Sequence, residues 1–237
     1  MTKEQILDKI RLVCKKEYGK IEDWVHDVDH VKGVVRLGKM IAKKEKVDPC
    51  LVQIACWLHD LGRVRELQRL DFKQSNHAEV SYELGREILR PFISEIGEDN
   101  VEEILLAVRE HSLPKFDKAG KNKIAQILRD ADRGMGLCLR GIYTTLVWFK
   151  IVDLAKPRGT KDIRDKLEKI LDYLRGNKDK SKLAIEKLEI ILGWYEGVRD
   201  RNGKWRVEPL CTEAAKMMFY KGYLGIKNYI KRIKDQR

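Results

Sequence analysis

Hydrophobic positions in this chain recur at three- and four-residue intervals almost throughout. Ile6, Leu7, Ile10, Val13 and Cys14 fall on one helical face, and Gly19 closes the segment. Val31, Val34, Val35, Gly38, Ile41 and Ala42 repeat the pattern up to Lys43-Lys44, after which Asp48-Pro49 offers an N-cap and a first-turn proline for the next helix. That helix runs through Ile54-Ala55-Cys56-Trp57-Leu58 into His59-Asp60, and Gly62 is expected to terminate it. A polar loop through Gln74-Ser75-Asn76 leads to a helix marked by Val80, Leu84 and Ile88 and ended by Pro91, and Val101, Ile104, Leu105 and Val108 mark the one after. Leu113 to Gly120 reads as a loop, and Ile124, Ile127, Leu128 and Ala131 form a further stripe. The apolar segment from Leu137 to Leu154 is expected to be a buried helix, too polar at its ends to span a membrane. Beyond Lys156-Pro157-Arg158-Gly159 the same periodicity predicts three helices, at roughly 160–175, 180–197 and 207–233. Alternating strand patterns are scarce. The expectation is an all-α fold with a helical core over 1–155 and a C-terminal helical extension over 156–237 packed on it.

His59-Asp60 is the departure from this pattern, two ionisable side chains at the end of an apolar run. A charged pair there must find a strong partner or suffer a large desolvation cost, and a divalent cation binds both imidazole nitrogen and carboxylate oxygen. Other candidates extend apolar stripes. His30 lies four residues before Val34, His77 three before Val80, His111 three after Val108, and Asp132 four after Leu128. Taken singly, an inward histidine reads as a hydrogen-bonded core residue and an Asp at a helix end as a cap. Several titratable groups facing one interior are a different matter, because they destabilise a fold unless something such as a bound divalent ion organises them.

Composition narrows the class. With 237 residues, 43% hydrophobic and 36% charged, and only 5 prolines, the chain is long enough for a substantial core under a helix-rich surface. No apolar run approaches a membrane span and the N-terminal residues lack a secretory segment, so a soluble cytoplasmic protein with no membrane partner is expected. Five cysteines without a Cys-x-x-Cys pair argue against a disulfide framework or a thiolate zinc site. The formal charge of +12 favours anionic partners, although the basic residues are spread along the chain as on a solvated lysine-rich surface.

The ordered pattern His30, His59-Asp60, Asp132 resembles the HD-domain superfamily of metal-dependent phosphohydrolases, with its H…HD…D motif on a helical bundle. The surrounding text is similar too: Asp29-His30-Val31, Trp57-Leu58-His59-Asp60-Leu61-Gly62-Arg63, Asn76-His77-Ala78-Glu79, Glu110-His111-Ser112 and Asp130-Ala131-Asp132-Arg133. The likeness covers roughly residues 25–150 and looks most like the small stand-alone prokaryotic branch, in which a His-Asp pair, here His26-Asp27, precedes the first ligand. That branch often continues with a further Asp, where this chain reads Arg133-Gly134-Met135-Gly136. The resemblance implies His30, His59, Asp60 and Asp132 as ligands of a first metal, with Asp130 as the competing carboxylate or a residue orienting a ligand, alongside His26 and Asp27. It implies a second metal or substrate phosphate at His77 and His111.

Mixed nitrogen and oxygen donors suit one or two ions of Mn, Fe, Co, Ni or Zn better than Mg. Such an ion acidifies water and polarises a phosphoryl oxygen, with Asp60 or Asp132 as proton acceptor and His111 or His77 as proton donor. Arg63 and Arg133, each adjacent to a motif residue, are candidates to neutralise phosphate, with Lys73 and Lys115 behind them. The expected activity is cleavage of a phosphate ester in a nucleotide or small phosphorylated metabolite. The alternatives are a phosphodiesterase or nuclease on RNA or cyclic nucleotides, and a low-turnover nucleotide or nucleic-acid binder, which the charge and Trp194, Tyr195 and Trp205 would suit. The C-terminal helices are candidates for a lid or for a homodimer interface.

Overall fold

The computed structural model of the protein describes residues 1–20, 25–68 and 76–235; Lys73 and the Gln74-Ser75 part of the polar loop lie outside them. In chain order the helices are α1 (Lys3–Tyr18), α2 (Val28–Glu45), α3 (Pro49–Leu58), α4 (Leu61–Gln68), α5 (His77–Leu89), α6 (Ile93–Ile96), α7 (Glu98–Glu110), α8 (Lys123–Gly136), α9 (Leu139–Trp148), α10 (Thr160–Arg175), α11 (Lys178–Glu196) and α12 (Glu213–Lys234). Strands β1 (Val198–Arg199) and β2 (Trp205–Val207) form an antiparallel hairpin between α11 and α12. The fold is all-α apart from that hairpin. The chain forms two compact units, Met1–Asp132 and Arg133–Arg237, so that the division falls inside α8 and Lys156–Gly159 is a connection within the second unit.

In the first unit α3 is the central helix. It begins where Asp48 accepts a hydrogen bond from the Cys50 backbone (2.8 Å) and Pro49 occupies the first turn. Eight of its ten residues, from Cys50 to Leu58, are buried, as befits a helix that is apolar on every side and packs against α1, α2, α5 and α7. Gly38 lets α2 close on it, because a Cβ there would lie 2.7 Å from Cys56 Sγ.

Gly62 does not terminate this helix. The helix stops at Leu58, His59 and Asp60 form a turn, and α4 starts at Leu61. Gly62 sits in the first turn of α4, where its N–H donates to Ser81 Oγ (2.8 Å) and a Cβ would come within 2.1 Å of the His77 carbonyl oxygen. The residue is needed for close approach of α4 to the start of α5.

The loop between α7 and α8 is held by one buried carboxylate. Glu110 accepts from the backbone N–H groups of Asp117 (2.9 Å), Lys118 (2.9 Å) and Ala119 (3.0 Å). Asn122 then caps α8 through Ile124 N–H (2.8 Å) while its amide donates to the Glu103 carbonyl on α7 (2.7 Å). These bonds place α8, and with it Asp132, against α7.

Two further expectations need correction in the second unit. The segment expected as a buried helix over 137–154 is helical only over Leu139–Trp148, and Trp148 and Phe149 at its end are exposed. The last helix begins at Glu213 instead of near residue 207, because the hairpin pairs Val198 with Val207 and Arg199 with Trp205 around a turn that uses Gly203 at positive φ. No helix among the described residues is long and apolar enough to cross a membrane.

Three substitutions test this packing by denaturant melting. Gly62→Ala should lose at least about 1–3 kcal/mol, since its Cβ meets backbone that cannot swing away, whereas Gly85→Ala should be near neutral, its one tight contact being the flexible end of Leu105 at 3.2 Å, with Leu58 at ordinary contact distance (3.5 Å) and helix propensity gained. Glu110→Gln should cost about 1–3 kcal/mol by weakening the bonds to the three loop N–H groups, and backbone hydrogen exchange at Asp117, Lys118 and Ala119 should accelerate.

Candidate metal centre

Five elements of the first unit deliver side chains to one buried cluster. His30 comes from the first turn of α2, His59 and Asp60 from the turn after α3, His77 from the first residue of α5, His111 from the end of α7, and Asp132 from α8. Their ligand atoms form three overlapping groups, His30–His59–Asp60, His59–His111–Asp132 and Asp60–His77–His111, within each of which all lie within 4.8 Å of one another.

Asp60 is the shared member. Its Oδ2 faces His59 Nε2 (3.4 Å) and His30 Nε2 (3.9 Å), while its Oδ1 faces His111 Nε2 (3.5 Å) and His77 Nε2 (3.6 Å). Asp132 Oδ1 closes the first side at 3.3 Å from His30 Nε2 and 3.8 Å from His59 Nε2. The cluster is wholly buried at His59 (0% exposed) and opens towards Asp132 (28%) and His30 (14%), which locates its approach from solvent.

The orientation of two imidazoles is set by their own helices. His59 follows the last residue of α3 and its Nδ1 bonds the Cys56 carbonyl (2.8 Å); His111 follows the last residue of α7 and its Nδ1 bonds the Val108 carbonyl (2.7 Å). Each ring thereby satisfies a carbonyl that the ending helix leaves open; with the proton on Nδ1 the Nε2 lone pair of His59 points into the cluster, whereas His111 Nε2 faces Asp60 as a donor. The two rings are 5.1 Å apart, so two helix C-termini, each carrying partial negative charge, meet there.

Electrostatics follow from burial and charge together. Burial opposes ionisation of Asp60, but His59, the hydrogen bond from His111 and the Arg63 guanidinium outweigh it and hold the carboxyl well below the usual range. Burial likewise works against the Asp132 carboxylate and is overcome by His30 and His59. Burial drives His59 down and takes His77 down to about 3, so both are neutral bases near pH 7. His111 is also opposed by burial, yet its hydrogen bond to Asp60 leaves it raised.

Two carboxylates, two neutral imidazoles and two helix C-termini form a site that wants a cation. His59 Nε2 and His77 Nε2 are buried and accept no hydrogen bond among the described residues, which fits donors held ready for a metal.

The remaining expected residues are placed as follows. Arg63 lies beside the cluster, its Nε 3.8 Å from Asp60 Oδ1. Asp130 is fully buried on α8 and is not part of the three groups. His26 packs edge-on to His30 with ring centroids 6.0 Å apart, and Asp27 caps α2 by accepting from Asp29 N–H (2.9 Å) and His30 N–H (3.2 Å). Arg133 begins the second unit, and its guanidinium donates to the Glu208 carbonyl (2.7 Å) of that same unit. Tyr18 is a residue the sequence pattern did not single out. From the end of α1 its buried hydroxyl donates to the Trp57 carbonyl (3.1 Å) and accepts from the Asp60 N–H (3.2 Å), clamping the turn that carries the dyad. The only signal in the sequence is its place on the Ile6–Ile10–Cys14 face of α1.

Comparison with known proteins agrees with this arrangement. A family model described as the HD domain matches residues 27–133. Among curated proteins none matches this chain. Three solved structures share the fold over nearly the whole chain. A Lactobacillus plantarum protein is 18% identical, covering 100% of this chain and 98% of that one with a TM-score of 0.59. Bacillus subtilis YpgQ, solved in complex with ADP, is 16% identical over 100% and 97% with a TM-score of 0.56. An HD-superfamily hydrolase of Bacillus thuringiensis is 16% identical over 99% and 98% with a TM-score of 0.55. The ordered His30, His59-Asp60 and Asp132 side chains thus gather at one buried point within residues 27–133, the stretch that matches the HD-domain model, and the chain shares its fold with these three structures.

Proposed function

We propose that this protein is a metal-dependent phosphohydrolase that cleaves a phosphate ester of a nucleotide or small phosphorylated metabolite. The observation that carries the reading is the division of Asp60 between two sets of imidazoles, Oδ2 towards His30 and His59 and Oδ1 towards His77 and His111. His30, His59, Asp60 and Asp132 would hold one divalent ion, of the Mn, Fe, Co, Ni or Zn type that accepts mixed nitrogen and oxygen donors in preference to Mg. His77 and His111, with the second oxygen of Asp60, would hold a second ion or the substrate phosphate. What such an ion supplies when bound is Lewis acidity, in the form of an acidified water and a polarised phosphoryl oxygen.

The chain's own residues do the rest. Asp132, the most accessible of the carboxylates, stands where solvent reaches the cluster and can take a proton from the attacking water. Arg63 lies on the Oδ1 side of Asp60 and brings a guanidinium to the charge that develops on phosphorus. His111, with Nδ1 fixed by the Val108 carbonyl, presents Nε2 on the same side and can protonate the leaving oxygen. The burial of His59 and the helices around it keep bulk water from the inner side.

A second reading is favoured by the same division of Asp60. Two ions sharing one carboxylate are the natural device for phosphodiester cleavage, which would place RNA or cyclic nucleotides among the substrates. A screen of nucleotides including ADP, sugar phosphates and phosphodiesters against Mn, Fe, Co, Ni, Zn and Mg separates the two, with preferred turnover of a monoester or of a diester as the readout.

Two results should accompany it. Saturating the metal-stripped protein with a preferred ion should raise its unfolding temperature, by the equivalent of about 2.7 kcal/mol at a hundred times the dissociation constant, and Asp60→Ala should abolish both this shift and turnover. Tyr18→Phe should loosen the dyad turn without removing a ligand, weakening metal affinity by about 10-fold in a calorimetric titration while the thermal shift at saturating metal survives.

A further inference from the structure

The net positive charge of this protein falls in one of its two units. Met1–Asp132, which holds the His/Asp cluster, carries 24 Lys+Arg against 24 Asp+Glu, whereas Arg133–Arg237 carries 25 against 13, which is the whole net charge of +12. Such an excess is costly to a compact body through self-repulsion, and it belongs to the unit that contributes none of the cluster's residues. The helices of the second unit soften it with ion pairs, among them Lys166–Asp162 (3.1 Å), Lys227–Glu196 (3.0 Å) and Lys234–Glu189 (3.0 Å).

The hairpin does not. Arg199, Arg201, Lys204 and Arg206 are all exposed within eight consecutive residues, and none has an ion pair among the described residues. The acid among them, Asp200, is turned to the backbone, its Oδ1 accepting from the N–H groups of Asn202 (2.8 Å) and Lys204 (3.0 Å). The Arg199 guanidinium is stacked 3.6 Å from the Trp205 ring centre, which fixes a flat face on the ribbon.

Aromatic surface accompanies the charge. Trp148, Phe149, Tyr173 and Tyr220 are the exposed aromatic side chains among the described residues, and all four lie in this unit, with Lys187 Nζ over the Phe149 ring at 5.0 Å. By contrast Trp194 packs against Gly136, and Tyr195 stacks on Tyr223 at 4.4 Å, so both are committed to the interior of the unit.

We propose that the second unit binds single-stranded nucleic acid, with the 198–207 hairpin tracking the phosphate backbone and exposed aromatic faces stacking bases. A small anion would need cations converging on one point, whereas these four are strung along a ribbon. Bases as well as phosphates enter the proposal because one unit carries both the exposed cations of the hairpin and exposed aromatic side chains, the combination that sequence-tolerant single-strand binders use. The inference stands apart from the hydrolase reading, since none of its residues belongs to the cluster.

Fluorescence anisotropy of the full chain with labelled mixed-sequence oligonucleotides of about 20 nucleotides, from about 50 to 200 mM salt, tests it. The expected result is saturable binding whose log affinity falls with log salt at a slope of about −2, as for roughly three phosphate contacts at −0.7 each. Arg201→Gln, Lys204→Gln and Arg206→Gln combined should weaken binding at least about 10-fold and flatten that slope, with Arg199 spared so that Trp205 keeps its partner. The pair Arg201→Lys and Arg206→Lys, which keeps the charge, should bind as the parent does and shows that folding is not at issue. Asp60→Asn should leave binding unchanged, so loss of hydrolysis and loss of nucleic-acid binding are separable. The proposal is overturned by an absence of binding at the lowest salt, by an unchanged affinity in the triple Gln variant, or by heparin or phosphatidylglycerol vesicles being bound as tightly as the oligonucleotide.

Discussion

The interior position of the Asp60 carboxylate is the constraint on which the first unit depends. A buried carboxylate is tolerated only when its surroundings repay the lost hydration, and here four imidazoles are drawn to it from α2, the α3–α4 turn, α5 and the end of α7, and one guanidinium from α4. Those groups keep Asp60 ionised, yet burial keeps His59 and His77 neutral while Asp132 adds a second carboxylate, so negative charge accumulates at the cluster. A divalent cation is what the charge, geometry and donor chemistry of this cluster fit.

Much of the rest of this unit can be understood as keeping that carboxylate in place. An all-apolar α3 sinks the dyad to the centre, Tyr18 clamps the turn from α1, Gly62 lets α4 close on the start of α5 where His77 begins, and Glu110 with Asn122 fixes α8 so that Asp132 arrives opposite His30. These contacts span long stretches of sequence. None is itself a ligand, yet each sets the position of one.

Helical periodicity made the inward faces of His30, His59, His77, His111 and Asp132 legible in the sequence, because an apolar stripe fixes where the residue three or four positions on will point. The break between α3 and α4 was not legible: Leu61 and Val64 continue the stripe of Leu58 through the turn, and a glycine just past a helix end has the same appearance whether it caps the helix or permits a close approach. Tyr18 carries no motif, since its role exists only once the fold brings it to a turn 39 to 42 residues away. The hairpin has strands of two and three residues, too short for alternation to register, although Asn202-Gly203 is a turn signal of the right kind. Charge read over the whole chain looked evenly spread, and the placement of its net excess in Arg133–Arg237 emerged only when the division inside α8 gave the boundary to count from.

The central claim is that the cluster around Asp60 is a metal centre. Elemental analysis of the purified protein after exhaustive dialysis, alongside His59→Gln and Asp60→Asn, tests it most directly. The account predicts one or two equivalents of a transition metal per chain, lost in both variants while their helical circular dichroism is retained. Metal contents equally low in all three proteins, even after reconstitution with Mn, Fe, Co, Ni or Zn, would contradict it.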